Sequence, residues 1–374
     1  MGQDDPLPQT ASAALMVVLA SLLAPLALLL LAFLPALAEL LKPSDVSPLR
    51  VPRDHDNHAV RFATSYRERL QSIFGAPLAQ ALRMPHALEA ARAGAVNLWV
   101  QPAQDGGLAL SPSLDALNAP LACAGNLCLP DGFHVAHEIY ASGDLLLGAH
   151  GAARALLADG VVRLGAGSRV ARWVHGREVH FGTGSGVDAR VSADLSIELA
   201  VGAVFVRANA PTIGSPAPAI DMPVSAANLP TPEPREFVGV PGAQFDASLR
   251  RWIVFRSLEL PAATRVQGDL IVHGNVWLHA GCRVEGSLKA HGRLKIDDGC
   301  TITGACIGMR RIDITSQCLI GGPLIGESEL QIGSNTVVGE LAQPTSVNAD
   351  RISLRPTSCV HGTVWAKHSV RVVG

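Results

Sequence analysis

A nine-residue pattern recurs along this chain, most often at a step of 18 residues, and reads VWLHAGCRV (276–284), LKIDDGCTI (294–302) and IDITSQCLI (312–320). Self-similarity at such a period is typical of a solenoid, a coil whose turns pack only against neighbouring turns. Looser matches between residues 127 and 208 extend the pattern towards the N-terminus. The sequence therefore predicts a coil with about 18 residues in each turn, here called a rung.

Apolar and polar residues alternate within each repeat, which is the period of a β-strand with one buried side. Val276, Leu278 and Val284 are expected to face inward, and Trp277 and Arg283 outward. The fold class is therefore predicted to be all-β, a β-helix solenoid with about three short strands per rung. Apolar residues also recur every six positions, a spacing that suits a left-handed or a right-handed coil, so the hand stays open.

Two blocks of repeats flank a stretch that is rich in Pro and Ala. The first block covers 127–208 and the second covers 237–374, while 209–236 is predicted to be a linker or an exposed loop. Residues 57–126 are expected to form a helical and irregular region. That region is predicted to cap the first rung or, alternatively, to bind a partner or a membrane surface. Whether the blocks lie end to end or side by side stays open.

A long apolar segment precedes the coil. Residues 11–41 carry no charge until Glu39, and this length exceeds the ~20 apolar residues that a bilayer-spanning helix needs. The segment is therefore predicted to be a transmembrane helix, with 1–10 as an N-terminal tail and 42–56 as a linker to the coil.

The charges around this segment predict its orientation. A cleaved signal peptide, suggested by Ala36 and Ala38, is disfavoured because Asp4 and Asp5 precede the segment without any Lys or Arg. The positive-inside rule places the basic side in the cytoplasm, and the basic residues that follow the segment are Lys42, Arg50, Arg53, Arg61, Arg67 and Arg69. We therefore expect a single-pass protein of the inner membrane with cytoplasmic C-terminal domains and the lipid bilayer as a partner. The net charge of −2 gives no indication of nucleic acid binding.

Three cysteines share one position of the repeat. Cys282, Cys300 and Cys318 are each 18 residues apart, and Thr264 and Thr336 hold the same position in the flanking repeats. Because successive rungs lie ~4.8 Å apart, these side chains should form a ladder. Free cysteine suits a stack of small buried residues, so we expect a buried ladder, with a metal site or disulfides as the alternatives.

The residues that carry chemistry show no catalytic grouping. The sequence contains no Gly-rich phosphate loop, no G-x-S-x-G and no H-E-x-x-H motif. The thirteen histidines are scattered, and His175, like most of them, falls on an outward position where a solvated side chain is expected. We therefore expect no catalytic residues, no metal and no cofactor, and hence no enzyme.

The second block resembles a bactofilin domain, the polymer-forming cytoskeletal family. The resemblance rests on a V-x-G-x-L-x-A cadence at 284–290, with a related run at 360–366, and covers 258–374 well and 127–208 more loosely. It implies a right-handed β-helix that assembles end to end into non-polar filaments without nucleotide. It also implies association with the inner membrane and a scaffolding role for envelope or cell-shape proteins, with no catalytic residues to transfer.

The last repeat ends at the C-terminus without a polar cap. An uncovered terminal rung leaves backbone groups unpaired and is a template for strand addition. Val370, Val372 and Val373 are therefore predicted to form an oligomerisation surface, through which the protein associates with itself.

Two other function classes remain as alternatives. IGSNTVVG (332–339) resembles the repeat of hexapeptide acyltransferases, although the insertion at 341–351 lacks the histidine that their catalytic loop carries. An adhesive or polysaccharide-binding β-helix outside the inner membrane is the other alternative, and it requires the opposite membrane orientation.

Overall fold

The computed structural model describes residues 20–21, 23–25, 61–74, 108–109, 120–123, 125–215 and 234–374. The chain divides into two compact units, Met1–Asn57 and His58–Gly374. Residues 20–21 and 23–25 are helical, and no helix among the described residues has the length and apolar character that a membrane crossing requires. The tail, the linker and nearly all of the predicted transmembrane segment lie outside the described residues. The rest of this section concerns the second unit.

The first block follows one helix, α1, and contains ten described strands. Helix α1 is Arg61–Phe74. The strands are β1 (Leu108–Ala109), β2 (Leu121–Cys123), β3 (Leu127–Leu129), β4 (His134–Ala141), β5 (Leu145–Leu147), β6 (Ala152–Ala158), β7 (Val161–Leu164), β8 (Arg169–Phe181), β9 (Gly186–Leu199) and β10 (Val204–Gly214).

The second block contains the remaining described strands. They are β11 (Arg235–Glu236), β12 (Ala243–Asp246), β13 (Arg251–Val254), β14 (Leu258–Leu260), β15 (Thr264–Gln267), β16 (Asp269–Val272), β17 (Val276–Leu278), β18 (Arg283–Glu285), β19 (Leu288–Ala290), β20 (Leu294–Ile296), β21 (Thr301–Ile302), β22 (Cys306–Gly308), β23 (Ile312–Ile314), β24 (Leu319–Ile320), β25 (Leu324–Gly326), β26 (Glu329–Ile332), β27 (Val337–Val338), β28 (Thr345–Leu354) and β29 (Cys359–Val372).

These strands form a β-solenoid of about 13 turns, which confirms the predicted all-β coil and its 18-residue spacing. In the second block each strand pairs in parallel with the strand three positions later, so three flat faces run along the coil. Face one contains β14, β17, β20, β23 and β26, face two β15, β18, β21, β24 and β27, and face three β13, β16, β19, β22 and β25. Val276 lies opposite Leu294, whereas Leu330 lies opposite Ile352, so the predicted four-residue insertion is taken up within one turn.

One corner of every rung is built by a residue with left-handed backbone. Gly281 and Gly299 have φ of 71° and 70° there, where glycine carries no steric penalty. Side chains close another corner, because Oδ1 of Asn275 accepts a hydrogen bond from the N–H of Arg293 at 2.8 Å. Side-chain oxygens of this kind satisfy backbone donors that the turns would otherwise leave unpaired.

The two blocks join at their C-terminal ends. Strands β10 and β29 are antiparallel, with Phe205 opposite Val370 and Ala208 opposite Val364, and this pairing is called the seam below. All other pairings between rungs in the second block are parallel, apart from the β12–β13 hairpin at its start. The blocks are therefore stacked end to end, which the sequence left open.

One hydrophobic core runs through both blocks, from Leu121 to Val372, without interruption at the seam. The described strands extend the first block beyond 127–208, since β2 begins at residue 121 and β10 ends at residue 214. The beginning of the predicted linker 209–236 is thus part of a strand, and residues 216–233 lie outside the described residues.

Helix α1 lies along a side of the first block. Its Tyr66 ring packs edge-on against Trp173 at 5.9 Å, and Arg67 forms an ion pair with Asp159 at 2.7 Å. These partners belong to two successive rungs within the block, so the prediction of a cap over the first rung is wrong for this helix. The coil offers α1 a flat side with outward aromatic and polar residues, which matches the apolar stripe of an amphipathic helix.

The buried side of a strand should dominate stability. Leu288→Ala is expected to lower the free energy of unfolding by about 2–5 kcal/mol because Leu288 is fully buried between rungs. The outward neighbour provides the control, since Lys289→Ala should change it by less than about 0.5 kcal/mol. Denaturant titration of both variants measures the difference, and equal effects would contradict the assigned strand register.

Candidate functional site

The predicted oligomerisation residues lie in the seam. Val370 and Val372 are buried, and Val373 is partly exposed. The N–H of Val372 donates a hydrogen bond to the carbonyl of Ala203 at 3.0 Å, and its carbonyl accepts one from the N–H of Gly202 at 2.9 Å. The structure therefore corrects the expected position of these residues, because the last rung of the first block already pairs with the strand edge that was expected to be open.

Side chains reinforce the seam on face three. The amide of Asn209 donates a hydrogen bond to the hydroxyl of Thr363 at 2.7 Å. Beside it, the guanidinium of Arg207 lies 5.8 Å from the ring centre of Trp365, a cation–π contact. The seam thus combines backbone pairing, a continuous core and polar contacts, as a specific interface does.

The seam leaves two free coil ends, and both are the N-terminal ends of their blocks. At the second block's end, Phe237 packs edge-on against Trp252 at 5.1 Å and partly covers the core. In the described structure β12 pairs only with β13, and β14 only with β17, so each has an open edge. Four large apolar side chains are exposed here and are called the head patch: Val238, Phe245, Leu249 and Phe255.

The cysteine ladder lies inside the coil. Cys282, Cys300 and Cys318 are all buried and free. Their thiols donate hydrogen bonds to backbone carbonyls of the preceding rung at 3.1 to 3.3 Å. Thr336 makes the equivalent bond to the carbonyl of Thr315 at 3.0 Å. The ladder therefore links consecutive rungs, a role that a hydroxyl fills equally well.

The environment keeps these thiols protonated. Burial raises the pKa of Cys318 to about 11 and that of Cys306, which faces inward on another side, to about 12. The hydrogen bond with Cys282, followed by burial, raises the pKa of Cys300. A thiolate is the nucleophilic and metal-binding form of cysteine. Within the described residues, no group of three or more His, Cys, Asp or Glu side chains could hold a metal ion.

Face one carries a polar network around an exposed tryptophan. The indole N–H of Trp277 donates a hydrogen bond to Asp297 at 2.7 Å, and the ammonium of Lys295 lies 3.9 Å from the indole ring centre. Nε2 of His279 lies 2.7 Å from a carboxylate oxygen of Glu259, and its Nδ1 lies 3.3 Å from Asp297. The imidazole is therefore held between two carboxylates and has no nucleophile beside it to activate.

A shallow groove of about 380 Å³ adjoins this network. Its walls are formed by Trp277, Lys295, Arg293 and Asn275. Since Lys295 and the ring of His279, at 4.3 Å, both contact the indole, Trp277 is engaged within the protein. The groove therefore has the features of a packed outer face and lacks the convergent acid, base and nucleophile of a catalytic site.

The contact between α1 and the first block contains a buried polar cluster that the sequence did not predict. The phenol of Tyr140 donates a hydrogen bond to Asp159 at 2.6 Å, and the other carboxylate oxygen of Asp159 accepts bonds from Arg67 at 2.7 and 3.1 Å. Burial, and then the bond to Asp159, raise the pKa of Tyr140, so its phenol remains a donor. This cluster ties two successive rungs to α1.

His175 belongs to the same contact and corrects an expectation. It was expected to be solvated, yet it is 1% exposed because α1 covers its face of the coil. The sequence contained one usable signal, since the chain has only two tyrosines and both Tyr66 and Tyr140 lie in this contact. Buried tyrosines usually find hydrogen-bond partners, so they mark places where an outward face is covered.

Comparison with known proteins gives no relative, since the chain matches no family model, no curated protein and no solved structure.

The thiol ladder predicts how substitutions at Cys318 behave. Cys318→Ser keeps a donor for the carbonyl of Asp297 and should change stability by less than about 1 kcal/mol. Cys318→Ala removes the donor and leaves a small cavity, so it should cost about 1–3 kcal/mol. Thermal unfolding of the two variants measures this order, and equal losses would show that the thiol hydrogen bond contributes nothing.

Proposed function

We propose that this protein is a membrane-anchored structural scaffold of the bactofilin type, built on a right-handed coil. It associates with further copies through the ends of the coil and organises envelope or cell-shape proteins at the inner membrane. Residues 11–41 anchor it in the lipid bilayer, and the C-terminal domains lie on the cytoplasmic side. It acts as a scaffold and not as an enzyme.

The seam is the observation that carries this proposal. A non-polar filament needs contacts between two equivalent ends, in which the terminal strands run antiparallel. The seam is such a contact within one chain, since Ala208 lies opposite Val364 in an antiparallel pairing between two C-terminal rungs. Coil ends of this sequence type are therefore able to pair with one another.

The head patch supports association at the remaining end of the second block. Val238 is 85% exposed, and Phe245, Leu249 and Phe255 are each exposed by roughly half. A cluster of exposed apolar side chains beside open strand edges marks a contact surface. Two copies that meet there about a twofold axis would bury the patch and pair the edges, and the surface opposite Val370 and Val372 is already used by the seam.

Association through the head patch is tested by substitution at the coil end. The full chain in detergent should form rods of twice the single length, roughly 120 Å instead of roughly 60 Å for 13 rungs. The double variant Phe245→Glu and Leu249→Glu should abolish this association because it places charges in the contact. Sedimentation velocity across concentrations and small-angle scattering measure both species.

The matched control is Leu319→Glu, which changes a side chain that is 50% exposed on face two, away from either end. It should leave the rods intact. Monomers of the unaltered chain at every concentration, or equal loss in the control, would reject association through the head patch.

The membrane orientation needs a separate test. A fluorescent protein fused after Gly374 should fluoresce, and an alkaline phosphatase at the same place should be inactive, because the phosphatase folds only outside the cytoplasm. Both fusions should fractionate with membranes, and deletion of 11–41 should release them. An active phosphatase would instead favour the extracytoplasmic polysaccharide-binding alternative.

A further inference from the structure

The outward side of the first block is buried only where α1 covers it. Tyr140, Leu157 and His175 follow one another in register on outward positions of three rungs, and each is at most 1% exposed. The side of α1 that faces them is formed by its buried residues, Ala63, Tyr66 and Leu70. Movement of α1 would therefore bring these coil side chains into water.

His175 is the titratable residue at the centre of this contact. Its Nδ1 is hydrogen-bonded to the hydroxyl of Ser192 at 2.9 Å. Its Nε2 is buried without a hydrogen-bond partner among the described residues, and the nearest carboxylate oxygen, on Asp194, lies 3.8 Å away. The site thus holds a neutral imidazole and offers no close acceptor for a second proton.

Charged groups face His175 from three elements. Arg67 on α1 opposes protonation, whereas Asp194 on β9 and Asp159 after β6 favour it. Burial is the largest influence and lowers the pKa of His175 below its ordinary value. The phenol of Tyr66 on α1 is also buried without a partner among the described residues, and burial raises its pKa, so it remains neutral.

We propose that α1 is a pH-sensitive clasp, which protonation of His175 releases from the side of the first block. The geometry provides both states. At neutral pH the imidazole is covered by α1 and bonded to Ser192. On acidification the imidazolium needs water or an acceptor for Nε2, and it gains access to water when α1 lifts. Release uncovers a second lateral surface that includes Trp173 and Tyr140. This regulation is independent of the proposed scaffold function.

The direction of the pH dependence follows from proton linkage. A histidine whose pKa is lowered in the docked state favours docking above its free pKa, which is 6.5, and opposes docking as the pH falls below it. If the docked imidazole binds no proton, acidification to pH 5.0 weakens docking by at most about 30-fold. The Arg67–Asp159 pair and the Tyr66–Trp173 contact oppose release, so the population of released α1 rises without complete detachment.

Hydrogen exchange on the full chain tests the clasp. The amides of 61–74 are compared between the unaltered protein and His175→Asn at pH 7.5 and at pH 5.0. Comparison at equal pH cancels the intrinsic pH dependence of exchange. Both proteins should exchange equally at pH 7.5. At pH 5.0 the unaltered protein should exchange up to about 30-fold faster in α1 than the variant, because Asn cannot be protonated but retains a bond to Ser192.

Two further measurements keep the result interpretable. His180→Asn changes a partly exposed histidine that pairs with Glu178 and Glu198, and it should leave the acid effect in place. His175→Gln replaces His175→Asn if the first variant misfolds. Equal exchange of α1 in the unaltered protein and the His175 variant at pH 5.0 would overturn the clasp. So would an acid effect that extends to the strands β20 and β23, since it would reflect unfolding of the coil.

Discussion

Backbone hydrogen bonds between residues one rung apart hold this molecule together, and everything else depends on their register. Because side chains alternate along a strand, a slip of one residue would turn every buried residue outward. The chain absorbs irregularity at corners instead, so that Val162 pairs with Leu145 after 17 residues and Ile352 with Leu330 after 22. A left-handed residue in each rung, such as Gly281, makes the corner tight enough to keep the strands stacked.

The same hydrogen bonding creates the problem that the seam solves. Every coil ends in a strand with one unpaired edge, and two blocks have four such ends. Pairing β10 with β29 removes two of them and joins the cores. The connection must then return from the seam to β11 at the far end of the second block, a distance of roughly 30 Å. Residues 216–233 span up to roughly 60 Å when extended, which accounts for a long segment between the blocks.

Local patterning predicted the coil well because each rung repeats the same short-range rules. Alternation identified Leu288 and Val284 as buried, and the shared repeat position identified Cys300 as part of a buried ladder. The seam was not predictable, because an exposed terminal strand and a paired one have the same sequence pattern. The burial of His175 was missed for a related reason, since an outward position says nothing about the helix that covers it.

The seam also changes what self-association means for this chain. With both C-terminal rungs paired internally, the two free ends are both N-terminal, and a rod with equivalent kinds of end has no intrinsic direction. Contacts between like ends are isologous, so each residue of the head patch would meet the same patch on the second copy. The exposed side chain of Val238 beside the open edges of β12 and β14 fits such a contact, because apolar burial and strand pairing would act together. The non-polar character of any assembly therefore follows from the way in which one chain joins its own two blocks.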